Sequence, residues 1–142
     1  MTDIDFDSIL ESTLKNKDGK IREAAIALLS LMTGFEDSEK WVLPLLLEGL
    51  KDKKCSVRCQ AVKNLYRFWR VAFTPLSEAA QHDQAWQVRC AAVLSLRKLC
   101  DVSNNAEVIQ SVKDVLSAVR EYDHNYHVQE KALRAITEID AL

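Results

Sequence analysis

The sequence Val-Arg-Cys-Ala-Ala-Val-Leu-Ser-Leu at residues 88–96 decides the fold, because its pattern occurs four times along the chain. Each copy has an apolar residue, a long polar residue, two spacers, an Ala and, four residues later, a Leu or Ile. This spacing places the apolar residues on one face of an α-helix, so each copy predicts an amphipathic helix. The copies begin at Ile21, Val57, Val88 and Val128, and their central alanines are Ala25, Ala61, Ala92 and Ala132.

The copies begin 36, 31 and 40 residues apart, and each interval has room for one further helix. Helix pairs at this period are typical of stacked α-solenoids. The small Ala allows a neighbouring helix to approach closely, where a Leu would hold it away. We therefore predict an all-α fold, a right-handed α-α superhelix of about four helix pairs in a single domain, residues 1–142. The repeats are predicted at about 3–34, 35–70, 71–101 and 102–142.

Local signals predict where several helices begin. Asp3, Asp5 and Asp7 suit the N-terminus of a first helix, and Asp18 can cap the helix that carries the first copy. Thr74-Pro75 predicts the start of a short helix, because Thr can cap free amides and Pro is favoured at the first helical position. The second helices are predicted at 20–33, 54–70, 85–100 and 125–139.

The composition is that of an ordinary globular protein, with 48% hydrophobic and 28% charged residues. The net charge of -2 gives no global attraction to nucleic acid or to a membrane surface. The longest apolar run, residues 41–47, is too short to span a bilayer, and the first residues lack the basic start of a signal peptide. We expect a cytoplasmic protein that does not use a membrane.

No motif for a metal, a cofactor or catalysis stands out. The four cysteines are predicted to be packing thiols; a metal site at Cys55 and Cys59, or at His124 and His127, is the less favoured interpretation. The chain has no phosphate-binding Gly loop, Cys-His dyad or nucleophile elbow. We expect no metal and no cofactor, and the sequence leans against an enzyme without deciding the question.

The repeated pattern resembles the HEAT repeat family, whose second helix typically reads Val-Arg-x-x-Ala-x-x-x-Leu after an Asp-containing turn and whose first helix often carries Pro. Here Asp residues precede all four copies, and Pro44 and Pro75 lie in two first helices. The resemblance implies pairing of Arg and Asp between successive repeats. The residues implied in this ladder are Arg22, Arg58, Arg89, Asp52 and Asp83, whereas Gln129 interrupts it in the last copy.

Charge is divided unequally between the two helices of each pair. The predicted second helices hold 12 Lys or Arg against 3 Asp or Glu, and the remainder of the chain holds 7 against 18. In HEAT arrays the second helices line the concave face, so the resemblance implies a partly basic groove that binds an acidic partner. Helical-wheel positions predict a solvent-facing basic strip of Lys63, Arg67, Arg70, Arg97, Lys98 and Arg134; a merely solvated helix face is the alternative.

The leading hypothesis is a non-enzymatic scaffold that binds a protein partner. The runner-up is nucleic acid binding, as in the HEAT-like alkylpurine DNA glycosylases, with Trp69 and Trp86 as stacking residues. The two middle second helices carry no carboxylate for such catalysis, so binding without chemistry is the better form of that hypothesis. No residue argues for a third class, the HEAT-like bilin lyases.

Trp86 and Tyr126 occupy the same register, two residues before the first apolar residue of their copies. They are either aromatic anchors for a partner or packing residues against the preceding turn. The oligomeric state is open. A second copy or further repeats could cover Phe35 and Trp41 at one end of the array, or Ile139 and Leu142 at the other.

Overall fold

A computed structural model describes residues 6–35 and 37–142, and this part of the chain is α-helical with no β-strand. The predicted start of the first helix at residue 3, with Asp3 and Asp5, lies outside the described residues, as does the side chain of Asp7. The α-helices are α1 (Phe6–Leu14), α2 (Gly19–Ser30), α3 (Ser38–Gly49), α4 (Cys55–Asn64), α5 (Trp69–His82), α6 (Trp86–Ser103), α7 (Ala106–Tyr122) and α8 (Tyr126–Asp140).

In chain order these helices alternate between a first helix and a second helix, and each second helix carries one copy of the pattern. The all-α helical-repeat fold is thereby confirmed. The four central alanines are at most 1% exposed, as are the first apolar residues Val57, Val88 and Val128. The chain divides into two compact units, residues 1–61 and 62–142. The prediction that they act as a single domain stays a prediction.

Small residues set the packing distance in unit 1, residues 1–61. Here α1 packs against α2, and α2 packs against α3. A Cβ atom built on Gly49, the last residue of α3, would lie 2.9 Å from Ile26 Cδ1 and 3.1 Å from Ala61 Cβ. The first distance is shorter than real Cβ contacts and the second is tighter than most of them, so a side chain at position 49 would force Ile26 or Ala61 to move.

Unit 2, residues 62–142, consists of stacked helix pairs. α5 packs against α6 and α7 against α8 within each pair, whereas α5 contacts α7 and α6 contacts α8 between the pairs. The two first helices therefore form one layer and the two second helices form another. Leu76, Leu96 and Leu116 are fully buried in this unit. This arrangement is the stacking of neighbours that the pattern predicts.

The predicted helix start at Thr74-Pro75 is wrong. α5 begins five residues earlier, at Trp69, and runs through Pro75 as an internal residue. Pro tolerates helical φ and removes a single amide donor, so α5 continues through it. The predicted second helix 54–70 is correspondingly shorter. α4 ends at Asn64, and a 3-10 helix over Leu65–Phe68 turns the chain while burying both of its terminal residues.

A repeated turn precedes each second helix, and the structure corrects its register. The side chains of Asn16, Asp52, Asp83 and Asp123 each accept a hydrogen bond from the backbone amide two residues later, at 2.8–2.9 Å. The residue equivalent to the three aspartates in the first repeat is therefore Asn16. Asp18 instead caps α2, accepting from the Lys20 amide as the sequence predicts.

Candidate interaction surfaces

The polar residue of each copy fastens its helix to the preceding turn. Arg22 Nη1 donates to Asn16 O, Arg58 Nη1 to Asp52 O and Arg89 Nη1 to Asp83 O, each over 2.8 Å and six residues. Gln129 Nε2 makes the same bond to Asp123 O. The substitution of Arg by Gln thus keeps the bond to the turn, because both side chains end in an N–H donor.

Two of these arginines also reach the turn of the next repeat. Arg22 donates Nε and Nη2 to the two carboxylate oxygens of Asp52, at 2.8 and 3.0 Å. Arg89 makes the same fork to Asp123, at 2.8 and 3.3 Å. These side chains are at most 16% exposed, so the pairs are part of the scaffold. The pairing of Arg58 with Asp83 stays a prediction.

The Arg22–Asp52 pair changes the protonation of both groups. The hydrogen bond from Arg22, which outweighs the opposing effect of burial, lowers the pKa of the Asp52 carboxyl. The hydrogen bond to Asp52 raises the pKa of Arg22 in the same way. Asp52 is therefore ionised at neutral pH and remains so into the acidic range.

The predicted basic strip lies wholly in unit 2, and a tyrosine stands within it. Tyr66, in the 3-10 helix, has Lys98 Nζ at 5.4 Å and Arg67 Cζ at 5.7 Å from its ring centroid. Both distances suit cation–π attraction. Lys98 belongs to α6, so the ring brings together cations from two elements that the sequence separates by 31 residues.

The remaining members of the strip differ in their surroundings. Lys63, Arg70 and Arg134 are exposed, and the Arg70 guanidinium lies 5.4 Å from the ring centroid of Trp69. Arg97 is different, because its side chain is only 17% exposed and donates to Asp101 at 2.9 Å and Glu138 at 3.2 Å. Burial alone would lower the pKa of Arg97, but these two carboxylates outweigh it and raise that pKa.

The two carboxylates make Arg97 a structural contact between α6 and α8 more than a contributor of positive charge to a ligand. The exposed cations nearest to Tyr66 are then the best candidates for binding. We call Tyr66, Arg67 and Lys98 the Tyr66 cluster. Sequence reasoning missed Tyr66, although it lies three residues after Lys63 and four before Arg70, which is the spacing of one helix face.

Trp86 and Tyr126 meet through His127, a contact that their shared register does not predict. The Trp86 ring stacks on His127 with centroids 5.3 Å apart, and Tyr126 contacts the same ring edge-on at 6.0 Å. Trp86 is 39% exposed and Tyr126 is 70% exposed. We call these three residues the aromatic cluster. It lies at the N-termini of α6 and α8, where the Asn125 side chain caps α8.

The thiols show no sign of a joint site. Cys100 is buried, and burial raises the pKa of its thiol to about 11. Burial also raises the pKa of Cys90. Within residues 6–35 and 37–142, no three His, Cys, Asp or Glu side chains come close enough to hold a metal ion.

No helix in the described part of the chain is both long and apolar enough to cross a bilayer.

The arrangement resembles other helical proteins of known structure. One crystal structure of an engineered protein from the Northeast Structural Genomics Consortium matches with a TM-score of 0.65 and 16% identity, over 96% of this chain and 63% of that chain. A second engineered protein from the same consortium matches with a TM-score of 0.60 and 20% identity, over 98% of this chain and 71% of that chain. At these identities the likeness shows the fold alone.

The sequence comparisons give the family. No curated protein matches the chain in sequence. A sequence model of the family described as HEAT repeats matches residues 7–97, which is more than half of the chain. That span contains the first three copies of the pattern, with their turns and arginines. The chain therefore belongs to the HEAT repeat family.

Proposed function

We propose that the protein is a non-enzymatic scaffold whose unit 2 binds an acidic segment of a partner protein. The observation that carries the proposal is the Tyr66 cluster, where Lys98 and Arg67 hold two exposed positive charges over one aromatic ring. Exposed Lys63 and Arg70 extend the same basic strip. A carboxylate-rich segment supplies complementary charge, and the ring adds an apolar contact.

The aromatic cluster is the proposed anchor for apolar side chains of the same partner. Trp and Tyr contribute more to interface energy than other residues do, because a large apolar surface is combined with one polar group. The ring of Trp86 already stacks on His127 in the absence of a partner, and we expect this contact to restrict its rotation. Less conformational freedom is therefore lost on binding.

Nucleic acid binding is the second candidate, because cations beside exposed aromatic rings also suit phosphates and bases. Asp101 and Glu138, which pair with Arg97, would repel a nucleic acid and an acidic peptide alike, and the net charge of -2 attracts neither. A peptide can place apolar side chains beside these carboxylates and on the aromatic cluster, whereas a nucleic acid carries a phosphate at every nucleotide. This difference favours the peptide.

Fluorescence anisotropy with two defined probes tests the proposal. A labelled peptide of glutamates interspersed with leucine, and a labelled oligothymidylate, are each titrated with wild type and with the variant Lys63→Glu/Arg67→Glu. We expect the peptide to bind wild type more tightly than the oligonucleotide does, and the variant to weaken peptide binding by about tenfold or more, because two attractive charges become repulsive.

A matched control makes the same charge change elsewhere. Lys51→Glu/Arg120→Glu alters two exposed cations outside the strip, and its peptide affinity should stay within about twofold of wild type. Equal weakening by both variants would mean a general charge effect and would remove the strip from the proposal. Tighter binding of the oligonucleotide than of the peptide would favour the second candidate.

A further inference from the structure

α2 carries a stripe of exposed apolar side chains, two of which stand at positions that are buried in the second helices of unit 2. Ile21, Leu28 and Leu31 are 40%, 53% and 75% exposed, and Ala24 is exposed between them. Leu31 caps the helix with helical dihedral angles, φ -73° and ψ -15°, so all four residues follow one helical path. We call these four residues the α2 stripe.

Two positions of the stripe are buried at their equivalents in unit 2. Val88 and Val128 correspond to Ile21 and are fully buried, and Ser95 and Ala135 correspond to Leu28 and are 2% exposed. Ile21 and Leu28 therefore lie on a face that unit 2 uses for helix packing, whereas Leu31 corresponds to exposed Lys98 and Glu138. In α2 that face is open and carries a larger residue, Leu28, where the packed helices carry small ones.

The spacing of the stripe is that of a helix–helix seam. Its residues are separated by three, four and three positions, which is the alternation of a and d positions in a coiled coil. The twelve residues from Ala24 to Phe35 contain no charged side chain and no His. A charged ligand such as an acidic peptide or nucleic acid is thus a poor fit, whereas the apolar face of another helix is a good one.

The charges that flank the stripe favour a second copy of the same chain. Lys15, Lys17 and Lys20 precede it and are exposed, with exposed Asp18 among them, and Asp37 and Glu39 follow it and are exposed, with Lys40 paired to Asp37 at 3.6 Å. The charge before the stripe is therefore positive on balance, and the charge after it is negative. Two copies packed antiparallel bring the basic end of each stripe to the acidic end of the other. Parallel copies would bring like charges together. With Ile21 of each copy against Leu31 of the other, Ala24 of each copy lies opposite Leu28 of the other, so all four residues of both stripes take part.

We propose that the protein forms a two-fold symmetric dimer in which the α2 stripes of two copies pack antiparallel. The interface is isologous, because the same surface serves both copies. It lies on α2 in unit 1 and uses no residue of the proposed partner-binding strip. Dimerisation and partner binding can therefore be tested separately.

Sedimentation equilibrium of the full chain over about 1–200 μM covers the micromolar range of a modest apolar interface. We expect a monomer–dimer equilibrium for wild type. Leu28→Glu should raise the dimer dissociation constant by about 100-fold or more, because the seam would bury two carboxylates without partners. Leu28 is exposed, so this variant should fold, and circular dichroism with a thermal melt checks that it does.

A matched control is Leu133→Glu, which changes a leucine of 41% exposure on α8. The dimer dissociation constant of this variant should equal that of wild type. Equal loss of the dimer in this variant would indicate a head-to-tail contact and overturn the proposal. A wild-type chain that stays monomeric, or that forms larger assemblies, would also overturn it and would leave the stripe to a different protein or to further repeats.

Cysteine cross-linking tests the direction of packing in a Cys55→Ser background, which removes the exposed native thiol. A mixture of Ala24→Cys and Leu28→Cys chains should form a mixed disulfide on oxidation, because the antiparallel register places these two positions opposite one another. Ala24→Cys alone should not cross-link, because antiparallel copies place the two Ala24 Cα atoms farther apart than the roughly 7 Å that a disulfide spans. Efficient Ala24→Cys dimers would show parallel packing and contradict the proposal.

Discussion

The arginine of the repeat can make two kinds of contact, one to the preceding turn and one to the next turn. Both depend on the fork geometry of its guanidinium group. One nitrogen of Arg89 holds the turn that precedes its own helix, and two others hold Asp123 in the next turn. The sequence predicts the ladder only through the family resemblance. Helical spacing alone indicates which side chains share a face, whereas the acceptors are backbone carbonyls and a carboxylate 34 residues away. For the same reason, the sequence does not reveal that the residue equivalent to Asp52 in the first repeat is Asn16 and not Asp18.

Asp123→Asn should destabilise the chain by about 2 kcal/mol at pH 7, because the amide keeps the bond from the Asn125 amide but loses the charged bonds from Arg89. Urea denaturation followed by circular dichroism measures this. Asp114→Asn, on the exposed side of α7, should change the free energy of unfolding by no more than about 0.5 kcal/mol. If Asp114→Asn lowered the free energy of unfolding as much as Asp123→Asn, the structural role of the Arg89–Asp123 pair would be contradicted.

The pKa of Asp52 predicts a specific response to acid. A carboxyl whose pKa is lower in the folded than in the unfolded state stabilises the fold above its unfolded pKa, about 3.9, and loses that contribution as pH falls through the folded pKa. The difference in urea midpoint between wild type and Asp52→Asn should therefore be largest near neutral pH and shrink below about pH 4. A difference that is constant down to pH 2.5 would show that the ionised form has no special role.

Thiol reactivity should separate the exposed Cys55 from the buried Cys100. With a pKa of about 11, Cys100 is about one part in a thousand thiolate at pH 8, and burial also hinders the reagent. Titration with a chromogenic disulfide should show Cys55 reacting at once and Cys100 reacting only as urea unfolds the chain. Mass spectrometry of partly labelled protein identifies the order, and early labelling of Cys100 would contradict its burial.

At the scale of helices, apolar spacing predicted the four pairs because the driving force is local and periodic. The second helices of repeats three and four lie within a few residues of their predicted positions. The error at Thr74-Pro75 has a tertiary cause. The burial of Leu65 and Phe68 in a 3-10 helix turns the chain early, and α5 then begins at Trp69 with Pro75 inside it. A strong local signal for a helix start is outweighed by burial of apolar residues.

The central alanines should not tolerate a larger residue. Ala92 is fully buried on α6, so Ala92→Leu inserts three carbons where neighbouring helices leave no room, and we expect a loss of about 1–3 kcal/mol. Ala106→Leu makes the same change at an exposed position of α7 and should cost no more than about 0.5 kcal/mol. Chemical denaturation of both variants measures the contrast; an equal effect would mean that Ala92 is not a packing constraint.

At the scale of the whole molecule, the sequence predicted a basic strip but could not rank its members. Arg97 and Lys98 are neighbours in the chain, yet Arg97 is paired with two carboxylates and Lys98 lies over Tyr66. Which charge is compensated depends on Glu138, which comes from another helix. The aromatic cluster could not be predicted from the sequence for the same reason. His127 contacts both Trp86 and Tyr126 only because α6 and α8 pack together.

Chemical-shift mapping by NMR tests the central claim that unit 2 presents a basic, aromatic binding surface. An ¹⁵N-labelled chain is titrated with the acidic peptide, and the assigned amide signals are followed. We predict the largest shifts at residues 63–70 and 97–98, with smaller ones near Trp86 and Tyr126. Shifts confined to α7 or to the α2 stripe, or no shifts at peptide concentrations in the millimolar range where even weak complexes form, would contradict the claim.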